Sequence, residues 1–108
     1  MGTFLPFAKL TVWVIGGAGS WGRNITKTLE QLCVGNIQVG GTYVPKYLDA
    51  IFIATPLKTH AEIALPHIQR GIPVFIEKPL CYTREEGLAL VEAWWVKQQP
   101  VLCDFQHL

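Results

Sequence analysis

The stretch Leu10-Thr-Val-Trp-Val-Ile-Gly-Gly-Ala-Gly-Ser-Trp-Gly22 decides the fold. Its first six residues form an apolar, β-branched run, which suits a strand covered on both faces of a parallel sheet. The run stops abruptly in glycines. From Trp21 to Leu32 the spacing turns helical, with Ile25, Leu29 and Leu32 on one stripe. Between that strand and that helix, Gly17-Ala-Gly19-Ser-Trp-Gly22 matches the pattern GxGxxG. Gly17 would allow a tight turn, Gly19 a close approach to a pyrophosphate, and Gly22 close packing of helix on strand. Phosphates would then rest on the free N–H groups that open the helix, where the dipole favours anions. The alternative is a plain turn of small residues, and Trp21 reads as packing rather than as a contact to a base.

Outward from this unit the pattern repeats. Ala50-Ile-Phe-Ile-Ala54 is a second apolar run, ended by Thr55-Pro56. Thr59-His-Ala-Glu62 has the spacing of a capping box and opens a helix to about Arg70, closed by Gly71. Pro66 inside it should kink the helix or remove one hydrogen bond. Val74-Phe-Ile76 is a short strand stopped by Lys78-Pro79, and Thr83-Arg-Glu-Glu86 is a second capping box. The helix after it is expected to carry Leu88, Val91 and Trp95 inward and to reach about Gln98. Val101-Leu-Cys103 closes the alternation. Strand and helix taking turns in this way predict an α/β, Rossmann-like doubly wound parallel sheet in three layers.

A dinucleotide fingerprint has a second half, an acidic residue roughly 20 positions past the glycines that holds the adenosine ribose. Here that position falls among Gly41, Thr42 and Tyr43, and no acid lies between Glu30 and Asp49. Asp49 begins the next strand, at the sheet edge opposite a ligand. Asn36 to Val44 could supply a strand, but the return to Asp49 is shorter than the dozen or so residues of a parallel crossover. That strand is therefore antiparallel or irregular, or a strand–helix unit has been lost. Lys46 could meet a 2′-phosphate by its position in this segment alone.

The 108 residues predict one domain, residues 1–108. Nine Lys and Arg against eight Asp and Glu give a net charge of +1, no footprint for nucleic acid or an anionic membrane. No apolar run approaches the roughly 18 residues of a membrane span. The N-terminus lacks the basic region and cleavage site of a signal peptide, so a cytoplasmic location is expected. Cys33, Cys81 and Cys103 form no CxxC pair and read as reduced, buried thiols, with no disulfide framework and no zinc site. His67 reads as packing or surface. The tail residues Cys103, Asp104 and His107 look ligand-like, but no metal is expected. Half the residues are hydrophobic and 16% charged. That balance leaves apolar surface for a partner, and Trp94-Trp95 is either core or part of such a patch.

Four motifs occur in order: the glycine loop, Asp49-Ala-Ile-Phe-Ile-Ala-Thr-Pro56, His60-Ala-Glu62, and Glu77-Lys-Pro79. Together they resemble the glucose–fructose oxidoreductase/inositol dehydrogenase (Gfo/Idh/MocA) family of NAD(P)-dependent oxidoreductases. The resemblance runs from about Leu10 to Val101, with a gap near residues 34–48. It implies a dinucleotide cofactor, NAD or NADP, with Gly17, Gly19 and Gly22 in the pyrophosphate loop and the N–H groups of Ser20 and Trp21 facing phosphate. Ala54, Thr55 and Pro56 would line the nicotinamide-ribose side with His60 nearby, and Glu77 and Lys78 would stand at the nicotinamide and substrate end. Lys78 matches the family's catalytic lysine, and Pro79 is expected at a turn with a cis bond. Residues Gly19 to Asn24 look most like members acting on sugars or nucleotide sugars, so hydride transfer to or from such a hydroxyl is the implied reaction.

Relatives continue past the last strand into a substrate domain, which the resemblance leaves without a counterpart here. The chain alone is thus expected to bind cofactor without turning over. The competing reading is a non-catalytic Rossmann-like module that self-associates as a homo-oligomer or binds a partner through apolar surface. A separate substrate-binding subunit is a third arrangement.

Overall fold

The computed structural model describes residues 9–16, 20–32, 34–40 and 47–103, without the side chains of Ser20 and Trp21. Among the described residues five short strands carry the architecture: β1 (Thr11–Ile15), β2 (Asn36–Val39), β3 (Ala50–Ile53), β4 (Val74–Ile76) and β5 (Val101–Cys103). Between them run α1 (Ser20–Gln31), a 3₁₀ turn (Leu57–Thr59) leading into α2 (His60–Gln69), and α3 (Arg84–Lys97). All strands are parallel, in the order β2-β1-β3-β4-β5. This is the expected doubly wound sheet, with α1 on one face and α2 and α3 on the other.

β2 departs from one expectation. It pairs with β1 in parallel, Thr11 opposite Asn36 through Val14 opposite Val39, so the antiparallel alternative is set aside. The connection from Gly40 to Asp49 is all that joins β2 to β3 across β1. Its two ends are anchored on β1. Gly40, at φ +65°, donates its N–H to the Val14 carbonyl at 2.8 Å. Asp49 Oδ2 accepts from the Thr11 N–H at 2.8 Å, and the Asp49 N–H donates to the Thr11 carbonyl at 2.9 Å.

Strand alternation sends Trp13, Ile51, Ile53, Val74 and Ile76 to the face covered by α2 and α3, where Ala64, Ile68, Leu90 and Ala93 meet them. The other face presents Val12 and Val14 to Leu29 of α1, with Ile25, Ile37 and Phe52 around them. Removing this apolar surface from water is the main term holding the layers together. α1 lies over β1 and β2. Beyond it the rings of Phe52 and Phe75 pack at 5.3 Å, only half-buried, and Leu102 is 60% exposed.

The helix ends divide the two capping boxes. Thr83 accepts from the Glu86 N–H at 3.1 Å while the Glu86 carboxylate accepts from the Thr83 N–H at 3.0 Å, the expected reciprocal pair. Thr59 forms no such cap. The 3₁₀ turn already holds its backbone in the helical region, and its hydroxyl turns back to the Pro56 carbonyl at 2.6 Å. α2 continues through Pro66, so the proline removes a hydrogen bond without ending the helix. It closes at Gly71, φ +76°, where Gly71 N–H donates to the Ile68 carbonyl and Ile72 N–H to that of His67.

α3 corrects the predicted inward stripe. Leu90 and Ala93 are buried, whereas Leu88, Val91 and Trp95 are each more than half exposed. Apolar and polar residues are mixed around the helix, so its periodicity points nowhere, and docking on α2 selects the face instead. Trp94 and Trp95 belong to this outer patch and not to the core. His67 is buried, its ring edge-on to Trp13 at 5.8 Å, which settles it as packing. Among the described residues no helix is long and apolar enough to cross a membrane.

Candidate functional site

The chain leaves β1 to form β2 on one side and returns to form β3 on the other. Such a reversal opens a crevice at the carboxyl ends of the two diverging strands, the place where doubly wound sheets bind ligands. Gly16 follows β1 there and Ala54 follows β3, joined by the Ala54 N–H donating to the Ile15 carbonyl at 2.9 Å. Gly16 takes φ +84°, and a Cβ on it would lie 2.5 Å from the Ala54 carbonyl oxygen. Only glycine fits. The sequence reading began the fingerprint at Gly17 and passed over Gly16, although the doubled glycine was the available signal.

Gly17, Ala18 and Gly19 lie outside the described residues. Ser20 and Trp21 form the first turn of α1, which contains no acidic residue to neutralise its N-terminal dipole. Gly22 is buried in the same turn, in keeping with close helix-on-strand packing. The expected ribose position, Gly41 to Tyr43, and Lys46 also fall outside the described residues, as do Cys33, Asp104 and His107. Asp49 stands at the amino end of the strands, away from the crevice.

On the β4 side of the crevice the chain builds two adjoining turns. The ladder between β3 and β4 ends where the Glu77 N–H donates to the Ile53 carbonyl at 2.9 Å. Beyond it Thr55 and Pro56 turn toward α2, while Lys78 and Pro79 turn toward α3 through the expected cis peptide. His60 joins them. It is 1% exposed, with Nδ1 at 2.9 Å from the Pro79 carbonyl and Nε2 at 2.8 Å from the Thr55 carbonyl. Thr59 adds a hydroxyl contact to the Thr55 hydroxyl at 2.8 Å. His60 thus reaches the site from beneath, with both ring nitrogens occupied by backbone. Lys78 is exposed and Glu77 half-buried.

This arrangement can do two things chemically. A crevice walled by glycine backbone and a helix N-terminus suits a phosphate-bearing ligand. A lysine on a braced turn can stabilise negative charge on an oxygen beside it. Among the described residues, no group of three or more His, Cys, Asp or Glu could hold a metal ion.

Comparison with known proteins agrees with this geometry. A family model described as "Oxidoreductase family, NAD-binding Rossmann fold" matches residues 42–105, more than half of the chain. The chain is 48% identical over 46 residues to inositol 2-dehydrogenase 4 of Saccharopolyspora erythraea, covering 43% of this chain and 14% of that protein. It is 38% identical over 57 residues to the scyllo-inositol 2-dehydrogenase (NAD(+)) of Bacillus subtilis, covering 53% of this chain and 16% of that one. GenD2 from gentamicin A biosynthesis, solved in complex with NAD, shares the fold with a TM-score of 0.76 at 21% identity over 95% of this chain. The chain spans about a third of that protein's length, the alignment covering 36% of it.

Proposed function

The chain belongs to the Gfo/Idh/MocA oxidoreductase family and carries its NAD-binding Rossmann fold. From that premise we propose that it is the cofactor-binding part of an enzyme moving hydride between a nicotinamide and a carbinol carbon of a sugar, nucleotide sugar or cyclitol. The observation that carries this reading is the crevice itself, where Gly16 and Ala54 meet and the Lys78 turn adjoins them. A bound nicotinamide would accept or supply the hydride. The residues of this chain do the rest: Gly16 and the glycines after it let the backbone approach phosphate, and the opening turn of α1 receives the negative charge. Thr55 and Pro56 line the ribose, and the Lys78 ammonium orients the substrate hydroxyl and stabilises negative charge on its oxygen.

The inositol dehydrogenases among the relatives favour a cyclic polyol or sugar as substrate. The free thiol of Cys81 fits a reducing, cytoplasmic setting. Titration calorimetry of the folded chain with NADH and NADPH tests the proposal. Saturable heat with either supports it, and no heat at millimolar concentration of both overturns it.

A second reading rests on α3. Its outer face leaves Leu88, Val91, Trp95 and Val96 each more than half exposed, an apolar stripe of the kind that marks a contact surface. In that reading the stripe meets another copy of the chain or a substrate-binding subunit. Sedimentation equilibrium separates the cases, since self-association predicts a mass that rises with concentration and falls back in Trp95→Glu.

A further inference from the structure

His60 sits where the strand ladder stops. β3 and β4 are tied by backbone as far as Glu77 and Ile53, and beyond that point the structure shows the two turns bridged by an imidazole. The ring is 1% exposed, so it is shut off from bulk solvent. Both of its partners, the carbonyls of Thr55 and Pro79, can only accept, so a neutral ring, with one N–H, bonds one of them at a time, and both contacts are hydrogen bonds together only when each ring nitrogen carries a hydrogen. A buried carbonyl deprived of its donor costs about 1–3 kcal/mol, which is enough to let either turn move in search of another. Lys78 directly precedes Pro79, so whatever holds the Pro79 carbonyl also holds the backbone from which the ammonium extends.

We propose that His60 is the positioning residue of the nicotinamide end. Its ring fixes the spacing between the Thr55 turn and the Lys78–Pro79 turn, and so sets where the Lys78 ammonium stands over the crevice. The proposal rests on the cofactor reading above and adds to it a specific division of labour. The adenosine and pyrophosphate half of the ligand is held by the glycine loop and α1, independently of His60. The nicotinamide half depends on the clamp.

ADP-ribose, which lacks the nicotinamide, separates the two halves. Calorimetry with NADH and with ADP-ribose is run on the full chain and on His60→Gln and His60→Asn. Gln presents its amide nitrogen where Nε2 stood, and Asn where Nδ1 stood, so each variant can donate to one of the two carbonyls and not to both. Each variant is expected to bind ADP-ribose as the parent does. The advantage of NADH over ADP-ribose should fall about tenfold, the size of one lost hydrogen bond. In a Lys78→Ala background the same His60 substitutions should produce a much smaller fall, because the residue being positioned is gone.

An unchanged NADH to ADP-ribose ratio in folded variants overturns the proposal. So does a parent chain that binds the two ligands equally. A parent that binds neither ligand overturns the cofactor reading itself, a distinct outcome. Should both variants unfold, the parent chain decides: its His60 ring nitrogen resonances must shift with NADH and stay in place with ADP-ribose, and the reverse or no shift overturns the clamp.

Discussion

The indole Nε1 of Trp13 donates to the Gly40 carbonyl at 2.7 Å, tying β1 to the first residue beyond β2. Trp13 is 5% exposed, and its ring also lies edge-on to His67. One side chain therefore fills the core under α2 and fixes the start of the shortened β2–β3 connection. Trp13→Phe keeps an aromatic ring but removes the donor and part of the volume. A loss of about 2–3 kcal/mol is expected in urea unfolding with an unchanged slope. A variant as stable as the parent would show that the connection does not depend on this bond.

Gly16 and Gly71 both have positive φ, yet their surroundings differ. At Gly16 a methyl group would lie 2.5 Å from the Ala54 carbonyl oxygen, whereas at Gly71 the nearest atom, Gln99 Cγ, is 3.9 Å away. Gly71→Ala should cost about 1–2 kcal/mol for conformation alone. Gly16→Ala adds a collision with backbone and should cost about 2–5 kcal/mol, and it should also weaken NADH binding. Equal losses at the two positions would contradict the close approach of β1 and β3.

His67 introduces a pH dependence. Burial, and secondarily the Arg70 guanidinium, hold it below its ordinary value of 6.5. Arg70 Nη1 stands 3.2 Å from His67 Nδ1, a contact that needs an unprotonated nitrogen. In the unfolded chain the ring takes up a proton near 6.5, and in the folded chain only at lower pH, so the unfolded state binds more protons in that window. Stability from this group is present above 6.5 and declines as pH falls from there through the folded value. Thermal melts from neutral to mildly acidic pH should fall more steeply for the parent than for His67→Phe. Parallel curves would remove His67 from the account.

The two Thr–Glu capping patterns make a matched test. Thr83→Ala breaks a formed capping box and should cost about 1 kcal/mol, or roughly 4–8 °C in melting temperature. Glu62→Ala, at the equivalent place after the unformed box of Thr59, should leave stability within about 0.5 kcal/mol. A large loss at Glu62 would indicate a cap that the geometry does not contain.

Much of this was legible in the sequence. Buried parallel strands read as unbroken apolar runs, so Thr11–Ile15, Ala50–Ile53, Val74–Ile76 and Val101–Cys103 emerged close to their observed bounds. The parallel course of β2 was harder to see, because the residues between Val39 and Ala50 are too few to carry a helical pattern that announces a crossover. α3 misled for the opposite reason. With apolar and polar residues mixed around the helix, Leu88, Val91 and Trp95 form as good a stripe as the one that is buried. At the candidate site, the resemblance to the family singled out Thr55, His60 and Lys78. What it could not give was the role of His60, whose partners are backbone carbonyls and leave no mark in residue identity. Gly16 was hidden similarly, since its need for glycine comes from a strand 38 positions away in sequence at Ala54.

The central claim is that a nicotinamide dinucleotide occupies the crevice between the carboxyl ends of β1 and β3. Titration of the ¹⁵N-labelled chain with NADH, followed amide by amide, tests it most directly. Saturable shifts are expected at Gly16, Ala54, Thr55 and Glu77, with Asp49, Ile72 and Val101 at the amino ends of the strands unmoved. Shifts confined to α3 around Trp94 and Trp95, or none at all from a folded chain, would contradict it.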